Sequence, residues 1–295
     1  MVQTTGVSGP SRRVWLFLGC TFVVTWGAWW LLAALTIAGA LTPTEPLGFG
    51  LLVLGGTAPT AAAYLAVWRT PNAGSVRAFN RRVFHLRVPP GLLFVAVFGA
   101  AGLGIVSLGL TGLIFGASWS ADPGRIVLLF LVAFAPSILF GGLEEVGWRG
   151  VLQPAVTDRY NLVVANLVIA GVWGVWHLPR FWVVGGSHPG GSFLIFLVAG
   201  VGYSAVMTWL YARTESIALC VVFHAGINAS VTAGLAFPVD QTPGFTVQAA
   251  LLVTVGTVLL AVCARRSHGR TETAARQAAR SSSPEGRPER GSPNP

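Results

Sequence analysis

Three short polar clusters interrupt stretches of sequence that are otherwise apolar: Glu144-Glu145-Val146-Gly147-Trp148-Arg149, Trp173-Gly174-Val175-Trp176-His177 and His224-Ala225-Gly226-Ile227-Asn228. A carboxylate and an imidazole held together can take a proton from water and pass it on. Imidazole and carboxamide N–H groups can donate to an oxygen on which negative charge develops. The same side chains can also bind zinc or relay protons across a membrane. Ionisable groups are costly in hydrocarbon, so each cluster is a candidate functional site.

On a helix Glu145 and Arg149 are four apart and face each other, which lets their charges cancel. Glu144 is then the spare carboxylate, turned ~100° around the helix and free to address another helix or a water. His224 and Asn228 are also four apart and present two hydrogen-bonding side chains on one face. If the runs holding Glu144 and His177 form an antiparallel hairpin, the two residues come level when the turn centres near Tyr160-Asn161. The stretch Thr157-Asp158-Arg159-Tyr160-Asn161 is the most polar between the two runs and marks such a turn. His85, His188 and His268 fall in loops or tail and carry no comparable signal.

The elements that must hold these clusters are membrane helices. A chain of 295 residues that is 53% apolar and 10% charged, with a mean hydropathy of +0.67, has too little charge to cover a water-soluble surface. The expectation is an all-α polytopic membrane protein with about eight transmembrane helices, since runs of ~20 apolar residues suffice to cross a bilayer. These runs lie at about 14–41, 47–68, 91–116, 126–152, 161–184, 192–212, 216–237 and 245–264. With both termini in the cytoplasm, seventeen of the nineteen basic residues, all arginine, fall inside and only Arg125 and Arg180 outside. The net charge of +9 therefore orients the chain in a membrane and does not indicate nucleic-acid binding. Beyond Arg265 the composition turns to Arg, Ser, Pro and Gly and implies a disordered basic tail. Cys20, Cys220 and Cys263 are widely spaced within apolar stretches and suggest neither disulfides nor a Cys-based zinc site. Gly112-xxx-Gly116 is one of several glycine spacings that permit close helix approach.

These residues, in this order, resemble the CPBP family of CAAX proteases and bacteriocin-processing enzymes, also called the Abi family. Its pattern is Glu-Glu-xxx-Arg, then Phe-xxx-His, then His-xxx-Asn on successive membrane helices. Glu144, Glu145 and Arg149 fit the first element, His177 the second, and His224 with Asn228 the third. Trp173 stands where the family usually has Phe, an aromatic replacement that keeps a packing role and narrows the cavity. The resemblance covers about Leu128 to Phe237, a CAAX-protease-like core at 128–237. Around it lie an N-terminus at 1–13, membrane helices at 14–127, a last membrane helix at 238–264 and the tail at 265–295.

The resemblance implies an intramembrane endopeptidase acting on membrane-associated or lipidated, CAAX-like proteins or peptides in the bacterial cytoplasmic membrane. By it, Glu144 and His177 activate a water, His224 and Asn228 stabilise the oxyanion, and Glu145 and Arg149 are structural partners. A metal-free mechanism is favoured, because no His-Glu-xx-His pair shares a helix; the alternative is Zn2+ held by Glu144, His177 and His224. Two other functions fit the polar clusters: a transporter with an intramembrane proton relay, and a catalytically silent immunity or scaffold protein. A transporter would show inverted repeats with matching polar breaks in its two halves, whereas here the polar residues crowd into spans four to seven.

Overall fold

The computed structural model describes residues 12–71, 75–116, 122–188, 190–238 and 240–281, and is helical with no strand among them. The helices are α1 (Arg12–Ile37), α2 (Pro46–Arg69), α3 (Val76–Val83), α4 (Pro90–Phe115), α5 (Pro123–Leu139), α6 (Glu145–Gly147), α7 (Gln153–Thr157), α8 (Leu162–Trp176), α9 (Phe193–Thr214), α10 (Ile217–Thr232) and α11 (Gly244–Ser281). Local sequence fixes their starts. Pro46, Pro90 and Pro123 open α2, α4 and α5, where a missing N–H costs nothing. Asn161, Ser192 and Ser216 cap α8, α9 and α10 by accepting from backbone N–H groups of the first turn.

Among the described residues, seven helical stretches are long and apolar enough to cross a membrane. Their outer faces confirm the solvent: Leu113 is 85% exposed and Val23 74%, with Phe94 and Leu128 exposed beside them, a surface only lipid can cover. The eighth expected span, α10, has 16 residues and falls short of that length. It is enclosed by protein instead, packed on α4, α5 and α9, with Leu219, Cys220 and Phe223 fully buried. A helix with few lipid contacts has no need to match the bilayer thickness.

The fourth apolar run departs most from expectation. It does not continue as one helix through Leu152. Pro136 lies in the last turn of α5 and removes a backbone donor. Beyond Gly141 the chain makes a 3-10 turn at Gly142–Glu144, the single turn α6, and a π turn at Trp148–Leu152 that leads into α7. The two glutamates therefore sit at a helix break, and the spacing of a regular helix does not by itself set the angle between them. Gly147 allows the broken segment to press against Phe17 and the Pro59 carbonyl, where a Cβ would collide. By contrast Gly116, expected at a helix contact, ends α4 in the left-handed conformation with φ 68° and nothing packed against it.

The polar turn between the fourth and fifth runs falls where the sequence marks it, between Thr157 and Leu162, and makes α7 and α8 neighbours. At the C-terminal end α11 runs to Ser281, past the change of composition at Arg265. Residues 282–295 of the expected tail, and the N-terminus at 1–11, lie outside the described residues. Two helix pairs frame the core: α1 with α2, tied by Thr25 Oγ1 donating to the Gly55 carbonyl at 2.8 Å, and α9 with α11. Between them stand α8, α10 and the broken segment.

Candidate active site

Glu145 is the hub of the site. It is 1% exposed, and its Oε2 accepts from Arg149 Nε at 2.7 Å across the expected four-residue spacing. Its Oε1 takes a second partner the spacing did not reveal: Nδ1 of His224 on α10, at 2.8 Å. A carboxylate can only accept, so this bond fixes the proton on Nδ1 and aims Nε2 away from Glu145. Arg149 continues the network through Nη1 to Gln153 Oε1 (3.1 Å) and Thr208 Oγ1 (2.9 Å), and through Nη2 to Ser204 Oγ (3.1 Å). Each nitrogen of a guanidinium that is 2% exposed thus meets an oxygen, and α9 is bound to the broken segment. Glu145 is more than an ion-pair partner, because it also orients the imidazole of His224.

Glu144 faces elsewhere. Its Oε2 accepts a single hydrogen bond, from Trp173 Nε1 at 3.1 Å. Oε1 has no protein donor among the described residues, although the residue is 6% exposed. Trp173 was expected to act by packing, and it does stack on Phe196, with ring centroids 5.2 Å apart. Its indole N–H adds a donor that a phenylalanine would lack. His177, at the end of α8, lies tilted against this indole, with centroids 4.2 Å apart, and Trp176, Trp29 and Phe196 complete its aromatic surround. His177 Nδ1 is 3.0 Å from the Trp173 carbonyl, an acceptor only, so Nδ1 carries the hydrogen and Nε2 keeps its lone pair.

His224 and Asn228, one turn apart on α10, converge as expected, and the residue that reveals it is Gly141. A Cβ built there would collide with Asn228 Nδ2 and lie 3.5 Å from His224 Nε2. The bare Cα of Gly141 thus leaves a small space onto which two side-chain nitrogens face. Sequence reasoning missed Gly141. Its signal was a Gly-Gly pair between an interior proline and the paired glutamates.

One cavity of about 390 Å³ brings these groups together, lined by Glu144, Glu145, Arg149, Trp173, His177, His224 and Asn228. All seven residues singled out from the sequence border it. Two more were unforeseen: His188, dismissed as a loop residue, and Arg180, counted only as an outside charge. His188 stacks near His177, with centroids 6.0 Å apart, and packs against Phe181 and Phe196. Burial, and then the charge of Arg180, push its pKa down from 6.5 to about 3, so it is neutral at neutral pH.

A zinc ion would need Glu144, His177 and His224 to converge at ligand distance. Among the described residues no three His, Cys, Asp or Glu side chains gather closely enough to hold a metal ion. Nδ1 of each histidine is engaged, by the Trp173 carbonyl and by Glu145, which leaves Nε2 of both facing away from these partners.

A family model described as type II CAAX prenyl endopeptidase Rce1-like matches residues 125–230, the stretch from the first turn of α5 to near the end of α10. CAAX prenyl protease 2 of Methanococcus maripaludis is 26% identical, over 72% of this chain and 82% of the relative. The matched residues 125–230 contain Glu144, Glu145, Arg149, His177, His224 and Asn228, the six residues of the ordered trio. Over residues 125–230 the chain is thus similar to the CAAX prenyl endopeptidases, and its long apolar helices make it an integral membrane protein.

Proposed function

We propose that the protein hydrolyses a peptide bond in membrane-associated, CAAX-like substrates, using a water activated by Glu144 and His177 without a metal ion. The observation that carries this reading is the pair of nitrogens facing the bare Cα of Gly141, in the same cavity as an under-bonded carboxylate. A water held between Glu144 Oε1 and His177 Nε2 gives up a proton as its oxygen attacks the scissile carbonyl. The carbonyl oxygen becomes an oxyanion and accepts from Asn228 Nδ2 and from His224 Nε2. Donation from Nε2 requires the imidazolium form of His224, which the Glu145 carboxylate on Nδ1 supports. The C–N bond then breaks, and the proton taken from water passes to the leaving nitrogen, giving a new carboxylic acid and a new amine, between which the remaining acid proton is then exchanged. Each oxyanion donor in a water-poor site is worth about 2.7–4 kcal/mol.

The transporter reading asks for matched polar breaks in both halves of the chain. Among the described residues, the buried charges and the helix break lie between α5 and α10.

The test is cleavage of a membrane-tethered reporter peptide by purified protein, with products identified by mass and the assay repeated after exhaustive chelation. Cleavage is expected to persist unchanged. Activity lost on chelation and restored by zinc would overturn the metal-free mechanism. Failure to cleave any tethered peptide would favour the transporter or silent-scaffold function.

A further inference from the structure

The membrane helices alternate in direction, so their ends gather on two faces, and the arginines divide unevenly between them. On the first face α1 begins beside the end of α2, where Arg13 Nε donates to Thr70 Oγ1 at 2.8 Å. There α3 meets the end of α9, with Arg82 Nη1 donating to the Tyr211 hydroxyl at 2.8 Å, and Ser216 Oγ at the start of α10 donates to the His85 carbonyl. This face holds Arg12, Arg13, Arg159, Arg213, Arg265 and the five arginines from Arg69 to Arg87. On the second face the end of α1 meets the segment after α8, through Thr36 Oγ1 accepting from the Val184 N–H at 3.1 Å. Among the described residues its arginines are Arg125, at the start of α5, and Arg180, in the 3-10 turn Leu178–Trp182 that follows α8. Arginines flanking membrane helices are retained on the cytoplasmic side, which makes the first face the inner one.

The catalytic cavity belongs to the second face. His177 is the residue after the end of α8 and Asn228 lies four residues before the end of α10, and both helices run away from the arginine-rich face. The cavity wall continues to Ser187 beyond α8, to Thr232 and Phe237 at the end of α10, and to Phe245 at the start of α11. Ser187 and Thr232 are exposed and form its rim. Toward the arginine-rich face the cavity is closed. Arg149, bonded to Ser204 and Thr208, makes its floor. Beyond the floor Phe79, Leu210 and Ile217 are buried, and a Cβ on Gly150 would collide with the Phe79 ring. A peptide backbone crossing hydrocarbon or packed side chains leaves its polar groups unsatisfied, at several kcal/mol each, so it enters from the second face. A gap to lipid lies on the same side: Pro136 and Phe140 line the cavity and are exposed, and Phe140 meets Phe49, in the first turn of α2, with centroids 5.7 Å apart.

Resting on the hydrolytic reading above, we propose that the cavity opens to the outside of the cell, and that its substrate is a peptide anchored in the outer leaflet, not a protein displayed on the cytoplasmic surface. The anchor stays in lipid beside Phe140, and the peptide bends over the rim at Ser187 and Thr232 to reach Glu144 and His177. Water for the reaction comes from the same side.

The experiment has two arms. In the first, introduced cysteines are labelled in spheroplasts with a membrane-impermeant thiol reagent, against the background of the native Cys20, Cys220 and Cys263. Ser187→Cys and Thr232→Cys, on the rim, should react in closed spheroplasts. Tyr160→Cys, exposed in the turn on the arginine-rich face, should react only after lysis. In the second arm one reporter peptide is displayed on a single-span anchor in either orientation. Wild type should cut the copy displayed outside and leave the cytoplasmic copy intact, and Glu144→Gln should cut neither. Protection of both rim cysteines until lysis overturns the proposal, as does reaction of Tyr160→Cys in closed spheroplasts. Cleavage of the cytoplasmic copy, alone or equally with the outer one, also overturns it while leaving the hydrolytic reading intact. Cleavage of neither copy by wild type removes the hydrolytic reading and the proposed substrate with it.

Discussion

Glu144 and Glu145 are neighbours in sequence and opposites in surroundings. Around Glu145 the valences are filled: its two oxygens meet Arg149 and His224, and Arg149 goes on to Gln153, Thr208 and Ser204. Around Glu144 they are open: one indole N–H on Oε2, no protein donor on Oε1 among the described residues, and His177, with its Nε2 lone pair, on the wall of the same cavity. Both corners are buried, so burial does not distinguish them. Saturation does. A buried charge whose partners are all protein groups holds helices in register, whereas one left short of partners is available to water and substrate.

The largest expected effects come from exchanging the two corners' chemistry for that of a neutral amide. Glu144→Gln keeps the shape and removes the base, so kcat should fall by about 10²–10⁴-fold with the melting temperature unchanged. Glu145→Gln removes one partner of a buried pair and should cost about 3–5 kcal/mol of stability, read as a lower melting temperature in detergent. Exchanging the charges as Glu145→Arg with Arg149→Glu should not restore activity, since position 145 would then repel His224 where it now binds Nδ1. If Glu144→Gln destabilises as much as Glu145→Gln, the contrast between saturated and open corners fails.

A smaller effect tests where the two corners meet. Asn228→Ala should lower kcat by about 10²–10³-fold, the usual loss for one oxyanion donor. Gly141→Ala should do much the same without touching a hydrogen-bonding group, because its new Cβ would occupy the position of the Asn228 amide. Full activity in Gly141→Ala would show that the space above this glycine is not where the oxyanion forms.

The membrane class and most of the polar residues that line the cavity were legible in the sequence because their signals are local. Apolar runs, arginine placement and the four-residue spacings of Glu145 with Arg149 and of His224 with Asn228 act within one helix. The polar turn near Tyr160 was legible too, and it aligned Glu144 with His177. What stayed hidden depends on departures from regular helix or on contacts between helices. Pro136 and Gly141-Gly142 signal a break without saying how far it turns the glutamates. The bond from Glu145 to His224 joins residues 79 positions apart. Arg180 read as a loop charge because the 3-10 turn that carries it back to the cavity has no periodic signature. His188 was passed over for the same reason, being a loop residue placed by aromatic packing.

Trp173 gives the smallest and most discriminating test of the contrast. The family usually carries phenylalanine there, and a phenylalanine would reproduce the stacking on Phe196 but not the N–H on Glu144. If the side chain acts by packing and size alone, Trp173→Phe should widen the cavity, shift KM or substrate size preference, and leave kcat alone. The hydrogen bond at 3.1 Å argues otherwise, since it holds the carboxylate by one oxygen and so determines which way the other one points. A hydrogen bond to a charged group contributes about 1.5–3 kcal/mol, but Glu144 retains its charge and its neighbours in the variant. The loss should therefore lie at the lower limit, about tenfold in kcat with KM for a standard reporter within about twofold. Trp173→His, which can return an N–H to the same region, should recover part of that loss where Trp173→Leu does not. Measured kcat and KM for the three variants decide the matter. An unchanged kcat in Trp173→Phe would make the indole a wall of the cavity and leave the orientation of Glu144 to the backbone break alone.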